Sequence, residues 1–528
     1  MKLERLPEKV ASALVIAIGL GVALYAAKLT AHGQMGTLAL LFFGAFLMMI
    51  LLKMRERIWL FIPVTWLLAG QIPILPLPFT VRDLVVLSVF GSYLFLKALK
   101  IVRRKPRWEN LDLWVLLSIG YLVTVFLRNP VGVEAMGSER VGGRPYLSVF
   151  IGYLAYWILS RVRLSSMEAF WLPIFVVLSR WGDGFLNLVA YQFPSTVPVI
   201  TQFYSGVGVS EYNATDINAM SAGETTERKE YLQLYGGPLI TALLSYFPPL
   251  TLLTPIYFIR FAFFIAGVVC VLLSGFRSLL IQVMALMLLS SYFWRRPLDI
   301  FKLGALGSIV ILFAVFGQGT IFNLPLSAQR ALSFLPGQWN YLAVAEAEGS
   351  TEWRVYMWKQ SLFTDKYIHN KWLGDGFGFT RAQYEAMLSL RLTGTPEDAQ
   401  ESQLIAGGVH SGSISAIHYV GIVGLILHLI LLTAIAVQAW KTIQRAYATP
   451  YFAVSLFFGL PAIWEVFNYV FVFGGYDQSL PHTLFMAGMM KMLGNSLETV
   501  SEPDTVKKKA ASQTYPKMSG QRLHPQLR

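Results

Sequence analysis

Two arginines in the second half of the chain have surroundings suited to binding phosphate. Arg277 lies between two strongly apolar runs, in Leu273-Ser-Gly-Phe-Arg-Ser-Leu-Leu280. Arg354 lies in Ser350-Thr-Glu-Trp-Arg-Val-Tyr-Met-Trp358. A guanidinium presents a rigid fork of donors that matches phosphate oxygens, and a neighbouring Trp can hold it by a cation–π contact. Both arginines are therefore candidates for binding a substrate that carries phosphate.

A histidine follows in Val409-His-Ser-Gly-Ser-Ile-Ser415. Because imidazole titrates near neutral pH, His410 is a candidate base that accepts a proton from a sugar hydroxyl. Each of the three residues also has a structural alternative. Arg277 would mark an interfacial turn, Arg354 would pair with a loop carboxylate on a solvated helix face, and His410 would be a hydrogen-bonded interfacial imidazole.

The composition indicates the kind of element that must position these residues. The chain has 528 residues, of which 55% are hydrophobic and only 14% charged, so its apolar excess needs lipid as solvent. The net charge of +13 comes from basic residues at the ends of apolar runs and from the tail Lys507-Lys508-Lys509. This pattern favours cytoplasmic basic loops over nucleic-acid binding. A single cysteine, Cys270, excludes an intramolecular disulfide and a cysteine metal site.

Apolar runs long enough to cross a bilayer recur along the whole chain. A helix needs about 20 residues to span a hydrocarbon core of roughly 30 Å. The fold class we expect is therefore all-α, a polytopic integral membrane protein of about 12–14 transmembrane helices with a large, partly helical periplasmic loop. The candidate spans are 10–29, 35–52, 58–75, 83–100, 111–127, 145–160, 168–190, 236–256, 260–274, 278–294, 300–318, 411–438, 451–473 and 480–495.

Lys and Arg mark alternate loops, which by the positive-inside rule places both termini in the cytoplasm. The expected organisation is N-terminal transmembrane helices over 1–318, a large periplasmic loop over 319–409, C-terminal transmembrane helices over 410–497 and a disordered cytoplasmic tail over 498–528. A loop of about ninety residues is long enough to suggest a functional role. Three segments, 128–144, 191–235 and 319–409, would lie on the periplasmic side.

Within the large loop, Ser350 is a candidate N-cap for a helix from Thr351 to Phe363. Arg354 and Trp358 would then share one face at i, i+4. The glycine-rich segment 374–378, Gly-Asp-Gly-Phe-Gly, predicts a turn, because a phosphate-binding loop would need a preceding strand and a lysine. Acidic residues with metal-ligand spacing are not evident in the sequence, so we predict no metal site.

The order of these motifs resembles the O-antigen ligase and polymerase superfamily of bacterial envelope glycosyltransferases. The resemblance covers residues 270–430: a Ser-Gly-x-Arg before a long outer loop, a helix with Arg and Trp, a Gly-x-Gly-Phe-Gly turn, and a His-Ser stretch leading into a Gly-x-x-Gly span. Two places depart from the family pattern. Phe276 and Ser278 flank the first arginine where small residues are common, and Tyr419 stands where many members carry Glu before Gly421.

The resemblance implies transfer of a glycan from an undecaprenyl-diphosphate carrier to a lipid or glycan acceptor. The enzyme would lie in the bacterial inner membrane, act on the periplasmic face in lipopolysaccharide or related polysaccharide biosynthesis, and need no cofactor, nucleotide or metal. Arg277 and Arg354 match the family's diphosphate-binding arginines, and His410 matches its catalytic histidine. Arg140, Arg144 and Trp358 are possible accessory substrate contacts, and Arg128 belongs to the same basic outer segment.

Alternative functions stay open at this level. The acceptor would be a lipid A core in a ligase and another lipid-linked unit in a repeat-unit polymerase. The residues do not identify the acceptor, and we slightly prefer the ligase. A transporter or flippase of polysaccharide precursors belongs to a different class, and such proteins usually show repeated halves and broken helices near the midplane. A non-catalytic membrane scaffold is the third class.

Overall fold

The computed structural model describes residues 53–68, 70–73, 79–98, 108–132, 140–207, 229–393 and 396–513, together with a few positions between 20 and 31. The predicted span 35–52 and most of the span 10–29 lie outside the described residues. Contacts divide the chain into one unit of 1–58 with 91–103 and a second of 59–90 with 104–528. In the first unit the described backbone is helical.

Helices dominate the described residues between 53 and 317. Three short 3-10 segments at Pro194–Thr196, Glu230–Leu232 and Pro255–Tyr257 connect some of them, and another lies at Arg55–Leu60. The α-helices are α1 (Phe61–Thr65), α2 (Val81–Ala98), α3 (Asn110–Arg128), α4 (Arg144–Leu159), α5 (Ser166–Gln192), α6 (Val197–Phe203), α7 (Gln233–Tyr246), α8 (Pro249–Leu252), α9 (Phe258–Leu273), α10 (Arg277–Phe293) and α11 (Pro297–Gly317).

Beyond α11, the residues that the structure describes form four helices in the segment 319–409 and three after it. A π-helical turn at Asn468–Val472 separates the last two of these. The helices are α12 (Leu326–Leu332), α13 (Tyr341–Phe363), α14 (Arg381–Thr393), α15 (Pro396–Ile405), α16 (Gly412–Ala446), α17 (Phe452–Phe467) and α18 (Tyr476–Gln513).

The architecture is that of an all-α, multi-pass membrane protein. Within the described ranges, six helical segments are long and apolar enough to cross a bilayer. They are Asn110–Arg128, Ser166–Gln192, Pro255–Leu273, Pro297–Gly317, Gly412–Ala446 and Phe452–Val472. Each coincides with a span expected from the sequence, and α10 is a shorter apolar helix. The larger count of about 12–14 spans stays a prediction.

The helices pack closely where small residues face a neighbour. α18 lies along α4, and α16 lies along α17. A Cβ at Gly152 of α4 would stand 2.9 Å from the Cα of Pro481, and one at Gly488 of α18 would stand 2.9 Å from the Cα of Tyr156. Such close backbone approach is typical of helix pairs in membranes, where packing replaces the hydrophobic effect as the cause of association.

The helix that carries Arg354 begins earlier than the sequence suggested. α13 starts at Tyr341 and is capped by Asn340, whose side chain accepts a hydrogen bond from the Leu342 amide at 2.9 Å. The predicted cap at Ser350 is wrong, because Asn340 caps the helix earlier and the segment between them is rich in Ala and Glu, which favour helix, so Ser350 lies inside it. The predicted end at Phe363 is confirmed.

The last helix also extends further than expected. α18 continues to Gln513 and so covers the first part of 498–528, for which the sequence predicted disorder. Residues 514–528 lie outside the described part of the chain.

α16 is broken near its start, and the glycine-rich turn fills the break. Gly421 has a φ of 71°, which interrupts the helical backbone. The amides of Asp375 and Gly376 donate to the carbonyls of His418 and Tyr419 at 2.8 and 2.9 Å. In return, the amide of Ile422 donates to the Lys371 carbonyl at 2.9 Å. The turn therefore takes over the hydrogen bonds that the broken helix loses.

A short sheet joins the large loop to the segment before α4. β1 (Arg140–Val141) pairs antiparallel with β2 (Phe379–Thr380), with Arg140 opposite Thr380. The Tyr146 ring of α4 packs edge-on against Phe377 with centroids 4.8 Å apart. The helices of the large loop are thus fixed to the ends of α3, α4 and α16.

Candidate functional site

Arg277 is the first residue of α10 and reaches α13. The turn before it is formed by Gly275, whose φ of 75° is accessible to glycine without strain, and by the extended Phe276. The Arg277 guanidinium donates a hydrogen bond to the Ala347 carbonyl at 2.8 Å. This contact connects the Ser-Gly-x-Arg motif directly to the helix that carries Arg354.

Arg354 lies on the same side of α13 as Ala347. The two residues are seven positions apart, close to two helical turns, or about 10 Å along the axis. Glu346, beside Ala347, forms an ion pair with the nearly buried Arg330 of α12 at 2.7 Å. The charge of this carboxylate is therefore compensated by Arg330 of α12.

His410 lies between the end of α15 and the start of α16, in an unusual backbone conformation. Its φ is 49°, a left-handed value that histidine tolerates better than most non-glycine residues. Its imidazole packs on the Phe473 ring with centroids 5.5 Å apart. Burial, and in addition the nearby positive charge of Arg354, lower the pKa of His410 below its ordinary value. The imidazole is therefore neutral at physiological pH and able to accept a proton.

Trp358 holds the Arg354 and His410 backbones in a fixed relation. Its indole nitrogen donates to the carbonyl of Val409, the residue before His410, at 3.0 Å. Val409 and Met357 are buried in one apolar cluster, and Trp358 packs against that cluster. The structure thus brings together Arg354, His410 and Trp358, and connects Arg277 to them through α13.

The accessory arginines lie elsewhere. Arg144 starts α4 and forms an ion pair with the completely buried carboxylate of Asp83, which compensates its charge. The Arg140 backbone lies in β1 opposite Thr380. Arg128 donates to the Leu373 carbonyl at 3.1 Å, at the edge of the glycine-rich turn. Arg128 and the Arg140 backbone thus contact the segment 371–380 of the large loop.

A polar cavity that the sequence did not indicate lies beside the glycine-rich turn. Its volume is about 550 Å³, and its walls come from the turn, α14, α15, the start of α16 and the end of α3. Arg277, Arg354 and His410 do not line it. The sequence predicted only a turn at 374–378, and Asp375 of that turn faces the cavity together with Gln383 and Glu401.

The arrangement around α13 suits acid–base and phosphate chemistry. Two guanidiniums supply donors and charge, and a neutral imidazole supplies a proton acceptor. In the parts of the chain that the structure describes, no group of three or more His, Cys, Asp or Glu side chains is arranged to hold a metal ion.

Comparison with family models and with curated proteins finds no match for this chain.

Proposed function

We propose that this protein is a membrane glycosyltransferase of the O-antigen ligase type. It would move a glycan from an undecaprenyl-diphosphate carrier to a lipid or glycan acceptor on the periplasmic face, without a metal or nucleotide. The observation that carries the proposal is the link between the three motif residues through α13: Arg277 bonds to Ala347, Arg354 lies two turns further on, and the Arg354 charge reaches His410.

In the proposed reaction, the acceptor hydroxyl oxygen forms a bond to the anomeric carbon of the donor sugar. The bond between that carbon and the diphosphate oxygen breaks, and its electron pair stays on the leaving diphosphate. The hydroxyl proton passes to the His410 imidazole. Charge therefore develops on the diphosphate, where Arg277 and Arg354 would stabilise it.

The position of the motif residues supports action at one membrane face. Arg277 at the start of α10 and His410 before α16 both lie against elements of the large loop. At the opposite ends of the same two helices, Phe293 of α10 packs against Trp440 of α16 with ring centroids 4.7 Å apart. The two helices thus run in the same direction, and both bring their motif residues to the end where the loop lies.

Transport is the runner-up, because a broken helix such as α16 is a feature of many transporters. In transporters the unwound backbone groups coordinate ions or substrate. Here the groups at the break already have partners in the chain: His418 and Tyr419 carbonyls accept from the turn, and the Val420 carbonyl accepts from the Tyr121 hydroxyl at 2.8 Å. This observation favours a structural role for the break.

The direct test is transfer by the purified full-length protein in lipid nanodiscs. The donor is an undecaprenyl-diphosphate glycan, offered with a lipid A core in one reaction and with a second lipid-linked glycan in another. A product on the lipid A core identifies a ligase, and an elongated lipid-linked product identifies a polymerase. Absence of both products, with movement of the intact donor across the bilayer when the protein is reconstituted in closed proteoliposomes, would replace the proposal by transport.

A further inference from the structure

The polar cavity beside the glycine-rich turn has the size and lining of a small-ligand site. Its volume of about 550 Å³ lies within the range of about 300–1,000 Å³ that is usual for such sites. Asp375, Gln383 and Glu401 contribute polar groups to its wall, and Tyr367 and Phe379 contribute aromatic surface. Flat aromatic faces next to hydrogen-bonding groups suit a sugar, which presents both apolar C–H faces and hydroxyls.

The cavity is adjacent to the arginine–histidine group but separate from it. Tyr367 lines the cavity and belongs to the same buried cluster as Val409, the neighbour of His410. Ile405 likewise lines the cavity and packs against that cluster. A substrate whose diphosphate lies at Arg354 therefore has a second polar site within the same part of the fold, on the far side of one small core.

The charges of the cavity are compensated within the protein. Lys366 forms an ion pair with Glu401 at 2.6 Å, and the Tyr367 hydroxyl donates to the same carboxylate at 2.6 Å. Burial alone would raise the pKa of Glu401, but these hydrogen bonds outweigh it and lower the pKa below its ordinary value. Asp375 accepts from the amides of His369 and Asn370 at 2.8 and 2.9 Å. A wall with two carboxyl groups and one lysine, which is already paired, disfavours anionic ligands.

Gln383 supplies a hydrogen-bond donor to this cavity. Its side-chain oxygen accepts from the amide and hydroxyl of Thr380 at 3.0 and 3.1 Å, which caps the start of α14. Its side-chain nitrogen makes no hydrogen bond to any residue that the structure describes. An amide N–H that faces a polar cavity is suited to a ligand oxygen such as a hydroxyl.

We propose that this cavity is a glycan subsite that binds uncharged sugar residues of the lipid-linked substrate. The proposal rests on the proposed function for the identity of that substrate, and it assigns the sugar chain to a place distinct from the diphosphate. The two places differ in chemistry: guanidiniums for the phosphates, and compensated carboxylates with an amide donor for the hydroxyls.

The test is equilibrium binding to the full-length protein in nanodiscs with three probes. These are undecaprenyl diphosphate without sugar, the same lipid with a neutral tetrasaccharide, and the same lipid with a tetrasaccharide of uronic acids. We expect the neutral tetrasaccharide to lower the dissociation constant about ten-fold relative to the bare lipid, as one or two net hydrogen bonds would. The uronic acid chain should give no such gain.

The decisive variant is Gln383→Glu, because glutamate preserves the cap on Thr380 and replaces the amide donor by a carboxylate. It should remove the gain from the neutral tetrasaccharide and leave binding of the bare lipid unchanged. Gln202→Glu makes the same change at an exposed glutamine of α6, outside the cavity, and should keep the gain. The subsite would be overturned if Gln383→Glu still bound the neutral tetrasaccharide lipid more tightly than the bare lipid. It would also be overturned if the variant lost as much affinity for the bare lipid as for the tetrasaccharide lipid.

Failure of this proposal can be told from failure of the proposed function. Binding of the tetrasaccharide that depends on Gln383, in a protein that transfers glycan to no acceptor, would keep the subsite and remove the enzyme. Normal glycan transfer by the protein, together with a tetrasaccharide affinity that Gln383→Glu does not change, would keep the enzyme and remove the subsite.

Discussion

The indole nitrogen of Trp358 donates a hydrogen bond to the carbonyl of Val409 at 3.0 Å, across 51 positions of sequence. This bond ties the middle of α13 to the backbone immediately before His410. Arg354 lies one turn before Trp358 on the same helix, so the bond also sets the distance between the Arg354 guanidinium and the imidazole.

Trp358→Phe should therefore lower the rate of glycan transfer, because it changes the position of Arg354 relative to His410 without removing either side chain. Phenylalanine keeps most of the apolar packing but leaves the Val409 carbonyl without its donor, which costs about 1–3 kcal/mol. We expect kcat for glycan transfer to fall about ten-fold, with the KM for donor little changed. Trp353→Phe is the matched control, since Trp353 packs on Tyr356 with centroids 5.5 Å apart in the same helix. Equal effects of the two changes would contradict a positioning role for Trp358.

Arg354→Lys should lose most of the activity despite conserving the charge. A lysine ammonium is a point charge and does not reproduce two parallel hydrogen bonds to phosphate. Losing one charge-assisted hydrogen bond costs about 2 kcal/mol, which corresponds to about a 30-fold fall in kcat/KM. Arg381→Lys, at an exposed arginine of α14, provides the control. Full activity with lysine at position 354 would end its assignment to bidentate phosphate binding.

The pH dependence of transfer should report on His410. A base works only when deprotonated, so activity falls as the pH drops through its pKa. Burial and the Arg354 charge lower that pKa, which places the acid limb of the kcat/KM profile below the ordinary pKa of histidine. Arg354→Gln removes the positive charge, so the pKa should rise and the acid limb of the remaining activity should move to higher pH. If the acid limb of the kcat/KM profile stayed at the same pH in Arg354→Gln, the titrating base would be a different group.

Gly421→Ala should destabilise the protein strongly. A Cβ at this position would stand 2.2 Å from the Trp372 carbonyl oxygen, and the φ of 71° is unfavourable for alanine. The combined cost is about 2–4 kcal/mol. Thermal unfolding in detergent would detect it as a lower melting temperature. Gly120→Ala is the control, because a Cβ in that part of α3 meets nothing within 4 Å. Similar melting temperatures for both variants would contradict the tight packing of the glycine-rich turn against the helix break at Gly421.

Most helix positions followed from the sequence, because apolar runs of sufficient length leave the backbone few alternatives in lipid. The span 300–318 became α11 at Pro297–Gly317, and 168–190 became α5 at Ser166–Gln192. The Ser350 cap prediction failed because Asn and Ser are about equally good N-caps, and the helix-favouring segment after Asn340 lets the helix begin at the earlier one. The break at Gly421 escaped prediction, since a glycine in an apolar run is equally compatible with a continuous helix.

The candidate site was predictable only in part. Residue types and motif order singled out Arg277, Arg354 and His410, but their connection through α13 depends on packing that brings Arg277 to Ala347 and Trp358 to Val409. The cavity was not predictable, because Gln383 and Glu401 are ordinary surface residues in sequence and acquire their surroundings only when α14 and α15 fold against the turn. Arg144 resembled a substrate contact until its pairing with Asp83 was visible.

The central claim is that the arginines bind the diphosphate and that His410 acts on the acceptor. The measurement that tests it most directly is the dissociation constant of undecaprenyl diphosphate for Arg354→Gln, His410→Ala and His410→Asn, taken beside the transfer rate of each. Asparagine tolerates the left-handed backbone of position 410 and so controls for strain.

We predict that Arg354→Gln weakens binding about ten-fold or more, because it removes charge-assisted hydrogen bonds. Both His410 variants should bind the lipid as the wild type does, while their transfer rate falls about 100-fold or more, as expected for loss of a general base. Normal binding by Arg354→Gln, or a loss of binding in the His410 variants that accounts for their loss of transfer, would contradict the assignment.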